Sequence, residues 1–209
     1  MKKVVGLCLW VCLMAASLAV RAEVTEPDVL IKNTAQEVLD IVKQDKDIRA
    51  GNQKKVLDLV NAKVLPHFDF ERMTRLAVGK GWRSATPEQR QTIVAEFRNL
   101  LVRTYTNAFT RYQDQSVEVK PLRMPAGADE VTVKTVILKT GAQPIAVDYE
   151  MEKTDDGWKA FDLTVEGVSL VTTYRGTFTD QVAQSGIDGL IKMLEEKNAA
   201  NNAAGKGAK

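Results

Sequence analysis

The sequence predicts an α+β fold in which helices cover one face of an antiparallel sheet. Three observations predict it. Apolar residues recur at helical spacing from Pro27 to Tyr112, alternate singly with polar ones from Val117 to Val165, and return to helical spacing from Val168 to Lys197. Strands that are greasy on one side and wet on the other need a cover for the greasy side, and only the helices remain to provide it.

Pro27 and Asp28 open the first helix. Its apolar positions Leu30, Ile31, Ala35, Val38, Leu39 and Val42 share a stripe, and Arg49-Ala50-Gly51-Asn52 breaks it. Val56, Leu57, Val60 and Val64 mark a second helix that stops at Pro66, and Asp69 caps a short third one that Gly79 ends. The fourth has the clearest start: Thr86 at the N-cap, Pro87 at the first helical position and Gln89 at capping-box spacing. Behind it Ile93, Phe97, Leu100, Leu101, Tyr105, Ala108, Phe109 and Tyr112 form one long stripe, with Arg90, Glu96, Arg103 and Arg111 largely elsewhere.

The period then changes to two. Val117 and Val119, then Val131, Val133, Thr135 and Ile137, then Ile145, Val147, Tyr149 and Met151, then Phe161, Leu163 and Val165 each alternate with neighbours of the opposite face. Thr140-Gly141 and Asp155-Asp156-Gly157 supply turns between them. Residues 168–184 and 187–197 form two closing helices separated by Ser185-Gly186. The end, 199–209, contains only Ala, Asn, Gly and Lys, a composition with nothing to bury, so a disordered tail is expected there.

The beginning of the chain indicates a compartment. Lys2 and Lys3 precede an apolar run over 4–20, and Arg21-Ala22 then offers a small exit residue, the pattern of a cleaved secretory signal peptide. The expected organisation is therefore a signal peptide at 1–22, a single domain at 23–198 and the tail at 199–209. Both cysteines, Cys8 and Cys12, lie inside the expected signal, so the domain must fold on its core without a disulfide. Cleavage would remove Lys2, Lys3 and Arg21 and no acidic residue, leaving 26 basic side chains against 27 acidic ones. That balance gives no sign of the basic stripe of a nucleic-acid binder. No second apolar run is long enough to span a bilayer.

Reactive groups are scarce. His67 is the one histidine and follows a proline between short helices, with no convergent metal ligands in the pattern. Gly79-Lys80-Gly81 has neither the spacing nor the hydroxyl of a phosphate-binding loop. Asp148 and Asp162 could serve as a general base if buried, but both fall on the polar side of their strands and should point to water. The reading is not an enzyme. An enzyme on a similar helix-covered sheet and a chaperone for apolar protein segments stand as alternatives.

The stretch Val165-Glu166-Gly167-Val168-Ser169-Leu170-Val171-Thr172-Thr173-Tyr174-Arg175 resembles the MlaC family, also called the toluene-tolerance auxiliary family. Trp82-Arg83-Ser84-Ala85-Thr86-Pro87-Glu88-Gln89-Arg90, Asp156-Gly157-Trp158-Lys159 followed by Phe161-Asp162, and Gly186-Ile187-Asp188-Gly189-Leu190 are similar to the same family, in matching order from about residue 28 to about 197. The resemblance implies a periplasmic phospholipid-binding protein whose cargo is the lipid itself, with no cofactor. It implies two partners. One is an outer-membrane lipoprotein complex (MlaA-like), and the other is an inner-membrane ABC complex met through its substrate-binding subunit (MlaD-like). Together they keep the outer leaflet free of misplaced phospholipid. It further implies a twisted sheet wrapped by helices with the acyl chains between. On that fold, the periodic faces place Phe97, Leu101, Tyr105, Phe109, Val133, Val147, Tyr149, Phe161, Leu163 and Val165 on the wall of a lipid pocket. Arg90 and the Glu166-Gly167-Val168 corner are the expected partner-docking positions.

Overall fold

In the computed structural model, helices precede and follow a single sheet. The backbone is described for residues 24–110 and 115–207, and side chains for all of these except 107–110 and 202–207. The expected signal segment, Tyr112 and the side chain of Phe109 thus lie outside the described residues. Helix α1 (Pro27–Gln44) has proline in its first turn and buries Ile31, Val38 and Val42. It ends a turn before the Arg49 break that the sequence predicts. The carboxylate of Asp45 accepts from the backbone N–H groups of Asp47 and Ile48, which caps a separate short helix, α2 (Lys46–Arg49). Asn52 caps α3 (Gln53–Lys63) in the same way, and a 3-10 turn at Leu65–His67 leads to α4 (Phe70–Val78), capped by Asp69. Gly79, with φ of 62°, closes α4 in a backbone region that favours glycine. After a 3-10 stretch at Gly79–Ser84 comes α5 (Pro87–Thr110). Its capping box is reciprocal: Gln89 N–H donates to Thr86 Oγ1 at 3.2 Å and Thr86 N–H donates to Gln89 Oε1 at 2.9 Å.

Five antiparallel strands lie in chain order: β1 (Gln115–Val119), β2 (Glu130–Lys139), β3 (Ile145–Thr154), β4 (Gly157–Val165) and β5 (Val168–Ser169). The expected α+β class is what the chain forms. One cross-strand row runs Val119, Thr135, Val147, Val165, Val168, and the adjacent one runs Val133, Tyr149, Leu163. These are the faces that the alternation predicts. Val168 and Ser169 belong to β5, not to the start of the last helix. Glu166 and Gly167, with φ of 48° and 83°, make a two-residue hairpin turn that pairs Val168 with Val165.

Helix α6 (Leu170–Gly207) is broken at Gly186 (φ 68°, ψ −170°), where the sequence predicts the break. Its second arm runs on to Gly207, whereas the composition from Ala199 predicts no regular structure. Alanine is the strongest helix former, and Asn198 anchors the arm by donating to Glu96 O at 2.9 Å and Glu96 Oε2 at 2.7 Å. The kink also explains Gly189. A Cβ there would stand 2.2 Å from the Cβ of Ser185, closer than two unbonded carbons can come. Gly189→Ala should therefore destabilise the fold by about 1–3 kcal/mol, the range for overpacking. A Ser185→Gly, Gly189→Ala double variant should recover part of that loss in thermal denaturation.

The apolar interior is divided. One cluster joins α4, α5 and both arms of α6 through Met73, Ile93, Phe97, Leu101, Phe178 and Leu190. A second joins α1, α2 and α3. A third lies between α1 and the sheet, built from Ile31, Val133, Met151, Trp158 and Ala160. Helix α1 packs along β1 and β2, α4 and α6 pack on β4, and α5 packs on α6, α3 and α4.

Candidate functional site

The nine predicted wall residues whose side chains are described fall into distinct layers. Phe97 and Leu101 are buried in the helical cluster, with Leu163 packed against its margin. Val133 is fully buried in the sheet cluster, with Tyr149 packed against it. Val147 is buried and Val165 half-buried, side by side on the same face of the sheet. Phe161 departs from the predicted alternation. A β-bulge shifts the register between Glu150 and Met151, so that Glu150 pairs with Asp162 but Met151 pairs with Ala160. Ala160 and Trp158 thereby join the apolar face, and Phe161 is left outside the ladder. Its ring lies 3.6 Å below the guanidinium of Arg72 and packs in the helical cluster.

Tyr105 also departs. It is 39% exposed, while its neighbour Thr106 is 6% exposed. The stripe predicted for α5 assumes one flat partner. Instead Val102 packs toward the α1–α3 cluster and Phe97 toward α6, so the buried arc rotates along the helix. Among the described residues the hydroxyl of Thr106 is buried without a hydrogen-bond partner.

At the centre of the helical layer Phe97 meets Tyr174 and Phe178 edge-on, with centroids 4.9 Å and 5.0 Å apart. Burial pushes the Tyr174 phenol above its ordinary pKa; the nearby Tyr105 adds to the rise and a hydrogen bond with Thr104 opposes it. Burial raises Tyr149 likewise, against a hydrogen bond with Thr135. Both stay neutral at any physiological pH, which suits an apolar wall. Surface concavities among the described residues include one of about 340 Å³ beside Ser116, Leu138 and Pro144 and one of about 400 Å³ beside Asn33, Glu37 and Ile41. Neither touches a predicted wall residue.

The polar candidates sort by contact. Arg90 is half-buried, donates through Nε to Trp82 O at 3.1 Å and lies 5.4 Å from the Trp82 ring, whereas Glu166 and Val168 are exposed. Asp148 sits opposite Lys134 in the register. Asp162 does not face water as the alternation predicts. Its carboxylate accepts from the N–H groups of Leu163 and Val171 and from the hydroxyl of Ser169, and so caps the start of α6. His67 is held below its ordinary pKa by burial first, with Lys159 reinforcing the shift and Glu37 opposing it. Among the described residues no three His, Cys, Asp or Glu side chains converge as a metal site, and no helix is long and apolar enough to cross a membrane.

Sequence reasoning missed Arg72. From α4 its guanidinium reaches Glu130 on β2 at 2.6 Å and Glu152 on β3 at 2.5 Å while covering Phe161 on β4. Glu130 and Glu152 are direct cross-strand partners, and that like-charged pair in the register was the available signal.

The family described as MlaC protein matches residues 32–196. The chain is 29% identical over 205 residues to toluene tolerance protein ttg2D of Pseudomonas putida, covering 94% of this chain and 95% of the relative. It is 21% identical over 188 residues to the intermembrane phospholipid transport system binding protein MlaC of Haemophilus influenzae, covering 88% of each. Among solved structures, the phospholipid-binding protein of Ralstonia solanacearum, determined in complex with a phospholipid, superposes with a TM-score of 0.79 at 39% identity. That match covers 84% of this chain and 98% of the other. With its sheet and helices in the order that the sequence predicts and its residues matched from 32 to 196, the chain belongs to the MlaC family.

Proposed function

We propose that the chain is a periplasmic phospholipid carrier, exported by a signal peptide at 1–22 and working without catalysis or cofactor. The observation that carries the reading is the Ralstonia relative, which binds a phospholipid and aligns with this chain over 98% of its own length. Physics sets the task. Exposing roughly thirty acyl methylenes to water costs on the order of 20 kcal/mol at about 0.8 kcal/mol each, and a carrier must replace most of that with apolar wall. The divided interior supports the reading, because two apolar layers that meet along a margin can part to admit chains without dissolving either one. The helical wall is Phe97, Leu101, Tyr105, Phe109 and Phe161, and the sheet wall is Val133, Val147, Tyr149, Leu163 and Val165.

Such a protein exchanges lipid between an outer-membrane lipoprotein complex (MlaA-like) and the substrate-binding subunit of an inner-membrane ABC complex (MlaD-like), with Arg90, Glu166 and Val168 as docking positions. Native mass spectrometry with lipid extraction tests the cargo: intact phospholipid is the expected companion, and bound peptide or a turned-over small molecule would replace the carrier by a chaperone or an enzyme. Leu101→Trp and Val147→Trp, each filling one layer, should lower co-purified lipid several-fold in folded protein. Unchanged recovery removes that residue from the wall.

A further inference from the structure

We propose that the end of α4, the 3-10 stretch after it and the adjoining turns of α6 form a basic platform that holds the protein against an anionic phospholipid membrane surface. The inference rests on the carrier reading above for the choice of a membrane as partner, and goes beyond it by naming the surface that meets the bilayer. Residues 73–87 contain Arg75, Lys80 and Arg83 and no acidic residue, and residues 170–179 contain Arg175 and no acidic residue. The fold brings these two segments together. Arg175 Nε donates to Leu76 O at 3.0 Å, in the last turn of α4. Gly81 lies so close to α6 that a Cβ there would stand 3.0 Å from Val182 Cγ1. All four cations are exposed, and among the described residues none of the four is ion-paired.

A general excess of basic residues does not account for this surface, because the whole chain has 29 basic side chains against 27 acidic ones. Elsewhere cations are neutralised locally: Lys55, Lys63, Arg72 and Lys120 each meet a carboxylate. Like charges left together repel one another and favour an external anion. The platform is also held in shape. Trp82, between Lys80 and Arg83, is only 8% exposed, and the Ser84 hydroxyl donates to Gly81 O at 2.8 Å. The kind of partner follows from what the surface carries besides charge. The exposed large apolar side chains among the described residues are Val24, Val29, Tyr105 and Val168, and none lies in either segment. Ser84, Thr172, Gly176 and Thr177 are the small exposed residues there. A protein interface draws most of its affinity from large anchors such as Trp, Tyr and Arg packed into desolvated pockets. A layer of anionic headgroups asks only for charge, and each basic side chain near it is worth about fivefold in affinity. Four cations among small hydroxyl side chains fit the second kind of surface.

The test is co-flotation of the purified protein with vesicles of mixed phosphatidylglycerol and phosphatidylcholine, and with vesicles of phosphatidylcholine alone. Binding is expected to the mixed vesicles at low salt, to fall as salt screens the charges, and to be absent on phosphatidylcholine. The triple variant Arg75→Gln, Lys80→Gln, Arg83→Gln should lower that binding on the order of a hundredfold. Arg175 is spared because it also bonds the α4 backbone. The variant Lys32→Gln, Lys43→Gln, Lys46→Gln removes as many exposed charges from α1 and α2 and should bind within about twofold of wild type. Arg75→Lys with Arg83→Lys keeps the charge and should bind as wild type does, which guards against a folding defect in the glutamine variant. The proposal is overturned if anionic vesicles are not bound, or if both glutamine triples lose binding equally, since net charge alone would then be at work. It is equally overturned if the platform triple keeps vesicle binding and loses a protein partner instead. Lipid extraction from the same samples separates the two readings. Co-purified phospholipid without vesicle binding removes the platform alone, whereas vesicle binding without phospholipid removes the carrier alone.

Discussion

Replacing Phe97 by alanine is expected to lower the unfolding free energy by about 3–5 kcal/mol, the range for truncating a fully buried phenylalanine. Phe97 has no exposed surface and meets both aromatic rings of the first arm of α6, at interplanar angles of 71° and 75°. Such edge-on contacts add about 0.5–1.5 kcal/mol per pair beyond buried area. Tyr174 and Phe178 cannot close the gap, because their own centroids are already 5.6 Å apart and each is fixed by its helix. Urea denaturation of the lipid-free protein is the measurement. Phe97→Leu should cost less than half as much, since it keeps most of the volume. A loss below about 1 kcal/mol for the alanine variant would mean that the helical layer is loosely packed in solution, and the cluster described around Met73, Ile93 and Leu190 would need revision.

Arg72→Ala should cost about 2–4 kcal/mol, and most of that should come from what it leaves behind. The Arg72 side chain is 17% exposed and Glu152 19%, whereas Glu130 is 59% exposed. Removing the guanidinium strands Glu152 in a partly dry site beside a second carboxylate and uncovers the ring of Phe161. Glu130→Gln should change stability by less than about 1 kcal/mol, because its bond to Arg72 is largely in water. The sharper check is a double variant. If stranding is the cause, Glu152→Gln should recover a substantial part of the stability lost in Arg72→Ala. If Arg72→Ala and the double variant are equally unstable, the loss comes from the cation–ring contact and packing instead of the charge.

Much of this protein could be read before its structure. Thr86-Pro87-Gln89 and Asp69 announce helix starts because each signal is local, a side chain reaching a backbone N–H three residues on. The faces of β1, β2 and β3 are legible for the same reason, since strand alternation needs only neighbours. What failed was non-local. The bulge that sets Phe161 aside depends on how β4 meets β3, which no count of alternating residues contains. Tyr105 and Thr106 exchange roles because α5 has three partners along its length, each facing a different arc. Asp162 looked solvated because its partners, Ser169 and the Val171 N–H, arrive only after the chain has turned back. The site divides the same way. The positions proposed for the wall rest on periodicity together with the family fold, whereas the separation of their described side chains into a helical layer and a sheet layer depends on how the elements pack.

The two-point fastening of the last arm of α6 has an electrostatic consequence. Gln89 Nε2 donates to Asp188 Oδ1 at 2.7 Å, and Glu96 meets Asn198 farther along both helices, so α5 and that arm run in the same direction. Their peptide dipoles therefore repel instead of cancelling, with both positive ends gathered near Pro87 and Ile187. Glu88 and Asp188 stand in those first turns, and the Glu88 carboxyl is held below its ordinary pKa by a backbone hydrogen bond and by Thr86. Two negative charges at that shared end act as the counterweight that lets parallel helices lie side by side.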